Sequence, residues 1–487
     1  MSLLSKDILF LIFKELNNDK KSLCSCLLVN RAWCVTAVPI LWRNPAQYLT
    51  NNNKTRNALC KIIFLHLPEE SKDILKNLGI NLIIGKYQHL LFNYINFWRY
   101  FDLSFIENLI TQITKIKTEE SKKFINSNLP IIRKEILKLF INRNSRFLHL
   151  SIPSYYNDCQ LQRIPEAESC FSGLESFQCC ASTDQNNLDE LTRMCKSIKK
   201  LKFTVNADSE DNYAIIKLIK AQKNLTEVQL LNYKRCSNEI YEKYLEESFI
   251  KHANTIKHLK ILKLPITRYI SHLVNLLTLE INTIEYMSFD DSYLDNVSLP
   301  VLRILKAQLV TCKILAGLIE NTKGHLTEIS LLFIDFNTIR LTQAIHNNCP
   351  NLKFLRLALF YTIDSSFEYK NLFTKCQFLE GLIIDAHNSF FDWDKLFEVL
   401  SESTSVNLFK FKFFSTAVIK PTDIKPFFDN WKNKKPMLLK VRCKSDPDAL
   451  DMMQQLEDLI EKHKAEGIIE RYFIGPINCN DDNFEWF

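Results

Sequence analysis

Glycine is scarce in this chain, with eight residues among 487. The motifs GxGxxG, GxxxxGK[ST] and GxSxG are all absent from the sequence, and each needs glycine where the backbone approaches a phosphate or makes a strained turn. The histidines are scattered, and His252 and His258, six residues apart, would not share one face of a helix. We therefore expect a protein that is not an enzyme, with an unrecognised active site as the alternative.

Long apolar runs are also missing. No uninterrupted apolar stretch approaches the length of about 18 residues that a membrane span needs, so none is predicted. The N-terminal apolar run lies between acidic Asp7 and Glu15 and is not followed by a small-residue cleavage site, which argues against a secretion signal. We expect the protein to lie in the cytoplasm or the nucleus and not to bind a membrane.

Paired cysteines are the third absence. The fifteen cysteines are an odd number and contain no CxxC pair, unlike a disulfide framework or a zinc ribbon. Cys24 with Cys26, and the adjacent Cys179 and Cys180, come closest to a metal motif, but neither has a nearby Cys or His pair to complete four ligands. We interpret them as buried small hydrophobic residues and expect no metal and no cofactor.

What the chain does contain is a repeat. From residue 147 onward the pattern apolar-x-x-apolar-x-apolar occurs twelve times, at a mean interval of about 26 residues. This period and spacing are the leucine-rich-repeat signature. The first apolar residues of the twelve matches are Phe147, Leu174, Ile198, Leu225, Leu259, Leu276, Leu302, Leu326, Leu352, Leu379, Leu408 and Leu438.

The segments between these matches carry apolar residues at three- and four-residue steps, as in "AIIKLIKAQKN" (214–224), so each repeat reads as a helix followed by a short strand. One unit alone could not bury its apolar face, but stacked units share a core. The predicted fold class is α/β: a solenoid of parallel strands with helices on the convex side. An irregular α/β domain with accidental matches is the alternative.

The first forty residues predict three short helices, within Asp7–Leu16, Leu23–Val29 and Arg31–Val38. Such a small segment cannot bury a self-sufficient core, which favours a partner for its apolar surface. The alternative is that it packs only against its own chain. The residues that define its pattern are Leu4, Asp7, Ile8 and Leu9, then Val29, Arg31 and Trp33, then Leu41 and Trp42.

This segment resembles the F-box, the adaptor-binding module of cullin-RING ubiquitin ligases, whose pattern runs LPxEIL, then a helical stripe, then V-x-[RK]-x-W, and ends in LW. The family's proline is replaced here by Ser5, which can cap the first helix. An F-box followed by leucine-rich repeats is a familiar pairing. The residues to which the resemblance assigns adaptor binding are Leu4, Ile8, Leu9, Ile12, Phe13, Leu16, Val29, Trp33, Leu41 and Trp42.

The resemblance implies a non-catalytic substrate receptor of an SCF-type E3 ligase, in which the F-box docks the Skp adaptor and the repeats hold a protein for ubiquitin-dependent degradation. A repeat scaffold acting outside a ubiquitin ligase is the alternative. We expect an F-box at 1–45, a helical connector at 46–130 that fixes it rigidly, and a solenoid of about 12 units at 131–487.

The outward positions of the predicted strands are enriched in basic residues, with ten basic and four acidic side chains among 36 positions. This bias favours an acidic or phosphorylated protein substrate, and nucleic acid is a weak candidate because the net charge is only +7 and no recognition motif accompanies it. A merely solvated strand face is the alternative. The predicted substrate-binding residues on this concave face are Lys202, Lys263, Lys306, Arg356, Lys412 and Arg442.

Overall fold

The structure is a computed structural model. It describes residues 5–48, 53–80, 90–114, 119–154, 161, 164–205, 212–232, 238–283, 291–294, 296–332, 338–359, 366–386, 391–403, 405–432, 434–443, 450–477 and 484. The chain divides into two compact units, Met1–Leu225 and Thr226–Phe487.

The first unit opens with helices and continues into strands that alternate with helices. Its strands pair in parallel, each with the next one along the chain. They are β1 (Tyr100–Asp102), β2 (His149–Ser151), β3 (Ser176–Cys180) and β4 (Lys200–Val205). The helices are α1 (Lys6–Glu15), α2 (Lys20–Cys26), α3 (Arg31–Leu41), α4 (Asn53–Leu65), α5 (Glu69–Asn77), α6 (Leu103–Ile113), α7 (Glu119–Phe140), α8 (Ala167–Phe171), α9 (Gln185–Met194) and α10 (Tyr213–Ala221).

The second unit repeats the same strand–helix alternation, again with parallel neighbours in chain order. Its strands are β5 (Glu227–Asn232), β6 (His258–Ile261), β7 (Thr278–Asn282), β8 (Ile304–Gln308), β9 (Glu328–Leu332), β10 (Phe354–Leu359), β11 (Gly381–Ala386), β12 (Lys410–Ser415), β13 (Met437–Cys443) and β14 (Ile469–Pro476). Its helices are α11 (Glu239–Ser248), α12 (Cys312–Glu320), α13 (Thr338–Asn348), α14 (Ser366–Lys375), α15 (Trp393–Ser403), α16 (Pro421–Asp429) and α17 (Leu450–Ala465).

The predicted fold class is confirmed: N-terminal helices are followed by parallel strands that alternate with helices in an α/β solenoid-like arrangement. The core lies between strands and helices, because the apolar strand positions face the helices. Phe411 and Phe413 of β12 show this, with ring contacts to Phe397 and Phe427 of α15 and α16. We call the opposite side of the strands the strand face.

Entry into the strands follows one hydrogen-bond pattern. A single backbone carbonyl accepts from two successive N–H groups of the next repeat, as Arg303 O does from Thr327 N at 2.8 Å and Glu328 N at 3.1 Å. In the first unit the accepting residues are Arg43, Arg99, Leu148 and Glu175, and in the second Thr226, Lys257, Leu277, Arg303, Thr327, Lys353 and Glu380. This pattern fixes where each strand begins relative to its neighbour.

Each of the twelve predicted strands is present, but two have a different register. In β6, Leu259 pairs with Leu279, so the repeat begins at Ile256 and not at Leu259. The segment "IKHLKILKL" contains two overlapping matches three residues apart, and only pairing with neighbours selects between them. In β13, Leu439 pairs with Phe411, which moves the repeat start two residues earlier than the predicted Leu438.

The strands also extend beyond the predicted range at both ends. β1 lies inside the segment that was predicted to be a helical connector, and the long helix α7 crosses the predicted boundary at residue 131. β14 follows the last predicted match. At β1 the residues Trp98, Phe101 and Leu103 have the full apolar spacing and are buried, but they precede residue 147, where the counted matches begin. In β14 the second apolar position is held by Tyr472, which interrupts the aliphatic pattern.

Ten of the twelve described cysteines are buried. Cys26, Cys179 and Cys180 are core residues as predicted, but the prediction is wrong for Cys24, which is exposed. Burial raises the pKa of the Cys195 and Cys376 thiols to about 12, so both stay protonated and neither is poised as a nucleophile. Within the described ranges no three His, Cys, Asp or Glu side chains come together to hold a metal ion. Of the described helices, none has both the length and the apolar character to cross a membrane.

The packing predicts the effect of removing a strand leucine. Leu382 of β11 is fully buried, so Leu382→Ala should lower the free energy of unfolding by about 2–5 kcal/mol through lost burial and a residual cavity. Leu450→Ala is the matched control, since Leu450 is 67% exposed. Urea denaturation measures both, and equal midpoints for the two variants would contradict the predicted packing of β11.

Candidate functional site

The first candidate surface is built on α1–α3, and each of these helices begins at a polar cap. Ser5 Oγ accepts from Ile8 N at 3.4 Å, so this serine caps α1 as predicted. Asp19 Oδ1 accepts from Ser22 N at 3.1 Å at the start of α2, and Asn30 Oδ1 accepts from Trp33 N at 3.0 Å at the start of α3. These caps separate the segment into three short helices.

The three helices share a small core of their own. Trp33 lies at its edge, with its ring 5.1 Å from that of Phe13 in an edge-on contact. Leu16, Leu27 and Trp42 also pack against the core while staying partly exposed. The buried members are Leu9, Phe13, Leu23, Cys26, Ala37, Ile40 and Leu41.

A second set of apolar side chains on these helices points away from that core. Ile8, Leu11 and Ile12 recur at the three- and four-residue steps of one face of α1, and Leu11 is 62% exposed. We define the apolar docking set by its exposed members, which are Ile8, Phe10, Leu11, Ile12, Leu28, Val29 and Val35. So many exposed large apolar residues within thirty positions are typical of a partner-binding surface.

The predicted adaptor-binding residues therefore divide into groups. Ile8, Ile12 and Val29 belong to the apolar docking set, whereas Leu9, Phe13 and Leu41 are core residues. Leu16, Trp33 and Trp42 are partly buried, and Leu4 lies outside the described residues. Buried and exposed apolar residues occur together on α1 because this helix is apolar on nearly every side.

Phe10, Leu11, Leu28 and Val35 are exposed members of the apolar docking set that were not predicted from the sequence. The run "ILFLIF" could have indicated Phe10 and Leu11. It makes a short helix apolar around most of its circumference, so one face can pack in the domain core while another face is left for a partner to cover.

The end of the F-box-like segment is joined to the strands of the same unit. The Trp42 ring lies 4.3 Å from that of Tyr94. Arg43 O accepts from Arg99 N at 2.8 Å and from Tyr100 N at 3.3 Å, which is the same pattern that starts the other strands. Trp42 thus supports the attachment of the N-terminal helices, and β1 begins directly beside it.

The second candidate surface is the strand face, whose central row of residues lies between the two core positions of each strand. Lys202, Lys306, Arg356 and Lys412 occupy this row as predicted. Lys263 does not: the register of β6 puts Lys260 there, and Lys263 instead pairs with the buried Glu242 of α11. A shift of three residues reverses the side on which a strand residue points.

Arg442 is on the strand face but not in the central row, where β13 contributes Lys440. It pairs across the strands with Phe414 and Gly475, one step further along. A shift of two residues keeps the side and changes only the row. The guanidinium of Arg442 lies 4.1 Å from the centre of the Phe473 ring.

Three of the predicted concave-face cations are buried. Arg356, Lys412 and Arg442 are 4%, 2% and 8% exposed, although outward strand positions were expected to face solvent. Arg356 donates two hydrogen bonds to Asp385, at 2.7 and 3.0 Å. The sequence could not show this pair, because its partners are 29 residues apart and meet only through strand pairing.

Other strand-face charges are also paired with neighbouring strands. Lys260 contacts Glu280 at 2.6 Å, and Lys306 contacts Glu328 at 2.8 Å. Both pairs remain partly accessible to solvent. Glu280 and Glu328 therefore neutralise lysines of β6 and β8, whereas on β10–β13 Asp385 is the one acidic residue among several cations at the described strand-face positions.

The N-terminal helices match a known family. Residues 6–48 match the model of the F-box-like family, and the match covers α1–α3 with their apolar docking set. None of the curated proteins with which the chain was compared matches it. The F-box-like domain supports a role as an F-box adaptor-binding protein in SCF-type complexes, since F-box domains generally bind the Skp adaptor and so connect to cullin-RING ligases.

Removing the acidic partner should lower the free energy of unfolding more for the buried ion pair of the strand face than for an exposed ion pair. Asp385→Ala leaves the Arg356 guanidinium buried without its carboxylate, and we expect a loss of about 3–5 kcal/mol in the free energy of unfolding. The control is Glu402→Ala, which removes the exposed pair between Lys370 and Glu402 and should cost less than about 1 kcal/mol. Chemical denaturation checks both, and a similar small cost for the two would refute the predicted difference.

Proposed function

We propose that the chain is the non-catalytic substrate-recognition subunit of an SCF-type E3 ubiquitin ligase. The N-terminal helices dock the Skp adaptor, and the strand face binds the substrate protein, which other subunits then modify with ubiquitin for degradation. The repeats are of the leucine-rich class in this proposal, and the protein acts in the cytoplasm or nucleus.

The observation that carries the proposal is the apolar docking set on a domain whose core is already complete. Leu9 and Phe13 fill the interior of the F-box-like domain, yet Ile8, Leu11 and Ile12 on the same helix stay exposed. Exposing these side chains to water is unfavourable by roughly 25 cal/mol for each Å² of apolar surface. A partner that covers them recovers this free energy, and the family match supports the Skp adaptor as that partner.

The attachment of the domain supports the same proposal. An adaptor-binding domain on a flexible tether would leave a bound substrate at no fixed distance from the ligase. Here the Arg43 carbonyl bonds and the Trp42–Tyr94 contact join the F-box-like domain to the first strand of its own unit. The first unit therefore carries the adaptor-binding surface and the start of the strand face as one compact body.

Adaptor binding is tested by charging the apolar docking set. In the variant Ile8→Asp/Ile12→Asp, two buried carboxylates would have no partner at the interface, so co-purification with the Skp adaptor should fall at least about 100-fold. Because both residues are exposed, the melting temperature of the chain should change little.

The matched control is Ile240→Asp/Ile339→Asp, which charges two exposed isoleucines on α11 and α13 of the second unit. This control should retain the adaptor. Undiminished adaptor binding by Ile8→Asp/Ile12→Asp would sink the proposed docking surface.

Substrate binding is tested with the partly exposed lysines of the strand face. Reversing the charge of Lys306, Lys410 and Lys440 of the second unit to Glu should weaken capture of an acidic or phosphorylated substrate and reduce the salt sensitivity of that capture, because exposed charges are screened by salt. Adaptor binding should be unchanged, since these residues are distant in sequence from α1–α3.

The matched control reverses three exposed helix lysines, Lys217, Lys243 and Lys313. Affinity purification of ubiquitin-ligase substrates at two salt concentrations measures the effect. If the strand-face variant retained the same partners with the same salt sensitivity as this control, substrate recognition would have to be assigned to another surface.

A further inference from the structure

The basic excess of β10–β13 is interrupted by an apolar site. Ile383 of β11 lies in the central row between Arg356 and Lys412, where a polar side chain would be expected on a solvated face. Phe414 of β12 and Leu438 of β13 continue this apolar surface. We call Phe354, Ile383, Phe414 and Leu438 the aromatic site.

A residue from the end of the chain covers this site. The Phe484 ring lies 5.3 Å from the Phe354 ring and packs against Ile383 and Phe414, which are 0% and 7% exposed. The last strand ends at Pro476, so Phe484 comes back to strands that lie several repeats earlier in the unit. Phe484 itself is only partly buried, and its site is a cluster separate from the core between strands and helices.

Cations surround the aromatic site. The Arg356 guanidinium lies 5.3 Å from the Phe414 ring centre, and Lys410 Nζ lies 5.4 Å from that of Phe354. Lys440 and Arg442 follow on β13. Asp385 pairs with Arg356, and Glu380 lies 3.7 Å from Lys410, but with Lys440 and Arg442 the rim keeps a net positive charge. This net charge favours acidic groups on whatever segment occupies the site.

The sequence around Phe484 has that charge. Residues 478–487 read "NCNDDNFEWF", with acidic residues at Asp481, Asp482 and Glu485 and no Lys or Arg. The sequence that carries the covering phenylalanine therefore has a charge opposite to that of the rim. A tethered segment benefits from an effective concentration of about millimolar, so even weak intrinsic affinity keeps it bound until a competitor displaces it.

We infer that the aromatic site binds a phenylalanine carried in an acidic segment of the substrate, and that Phe484 occupies the site in its absence. This inference rests on the proposed function, because it names the substrate class of the strand face. The tail then acts as an internal competitor, and a substrate must displace Phe484 to be held.

The test measures binding of a fluorescent peptide with the sequence of residues 478–487 to the purified full-length chain. In wild type the tail competes, whereas Phe484→Ala vacates the site. The peptide should therefore bind Phe484→Ala at least tenfold more tightly than wild type. A peptide with Ala in place of Phe484 should not bind either protein. Phe378→Ala, which truncates an exposed phenylalanine away from the site, should behave as wild type does.

Two further variants, made in the Phe484→Ala chain, identify the site. Ile383→Asp should abolish peptide binding, and Lys440→Glu should weaken it at least fivefold. Equal affinity for wild type and Phe484→Ala would overturn the inference. So would a fall of several degrees in the melting temperature of Phe484→Ala together with no peptide binding, because Phe484 would then be a fixed part of the fold.

The adaptor takes no part in these measurements, so their failure differs from failure of the proposed function. If Phe484→Ala failed to bind the peptide while the chain still bound the Skp adaptor and captured substrate, only the aromatic site would be overturned. If the wild-type chain failed to bind the Skp adaptor while Phe484→Ala still bound the peptide, the aromatic site would be supported and only the ligase role would be overturned.

Discussion

The structure depends on one repeated backbone interaction, in which a carbonyl accepts hydrogen bonds from two successive N–H groups of the following repeat. It determines where each strand starts, and thereby which residues face the helices and which face solvent. In the first unit this pattern begins at Arg43, which is the end of the F-box-like domain and not part of a strand. The adaptor-binding module is thus joined to its unit by the same interaction that joins the repeats.

Strand register determines which charged side chains of neighbouring strands form ion pairs. Neighbouring strands lie about 4.8 Å apart, so side chains in the same row, or one step further along, contact each other although they are twenty or more positions apart in the sequence. Lys260 meets Glu280, and Arg356 meets Asp385, by this route. The strand face consequently carries partly exposed charge pairs on β6–β9, and on β10–β13 a buried pair, further basic residues and an apolar centre.

The tryptophans of the N-terminal segment have distinct structural tasks. Trp33 packs edge-on against Phe13 and closes the small core, whereas Trp42 stacks near Tyr94 beside the first strand. Neither belongs to the apolar docking set, whose members come from α1, the turn after α2 and Val35 of α3. The aromatic richness of this segment therefore reflects its packing, and its docking surface is mainly aliphatic.

Local spacing in the sequence determined the repeat, the three capped N-terminal helices and the resemblance to the F-box, because each is encoded within about thirty neighbouring residues. It could not determine the phase of β6, where "IKHLKILKL" fits two registers, so Lys263 was predicted in place of Lys260. Only tertiary structure decided which apolar residues of α1 are core, that Arg356 and Lys412 are buried, and that Phe484 covers Ile383. These depend on contacts between residues far apart in the chain, which local periodicity does not encode.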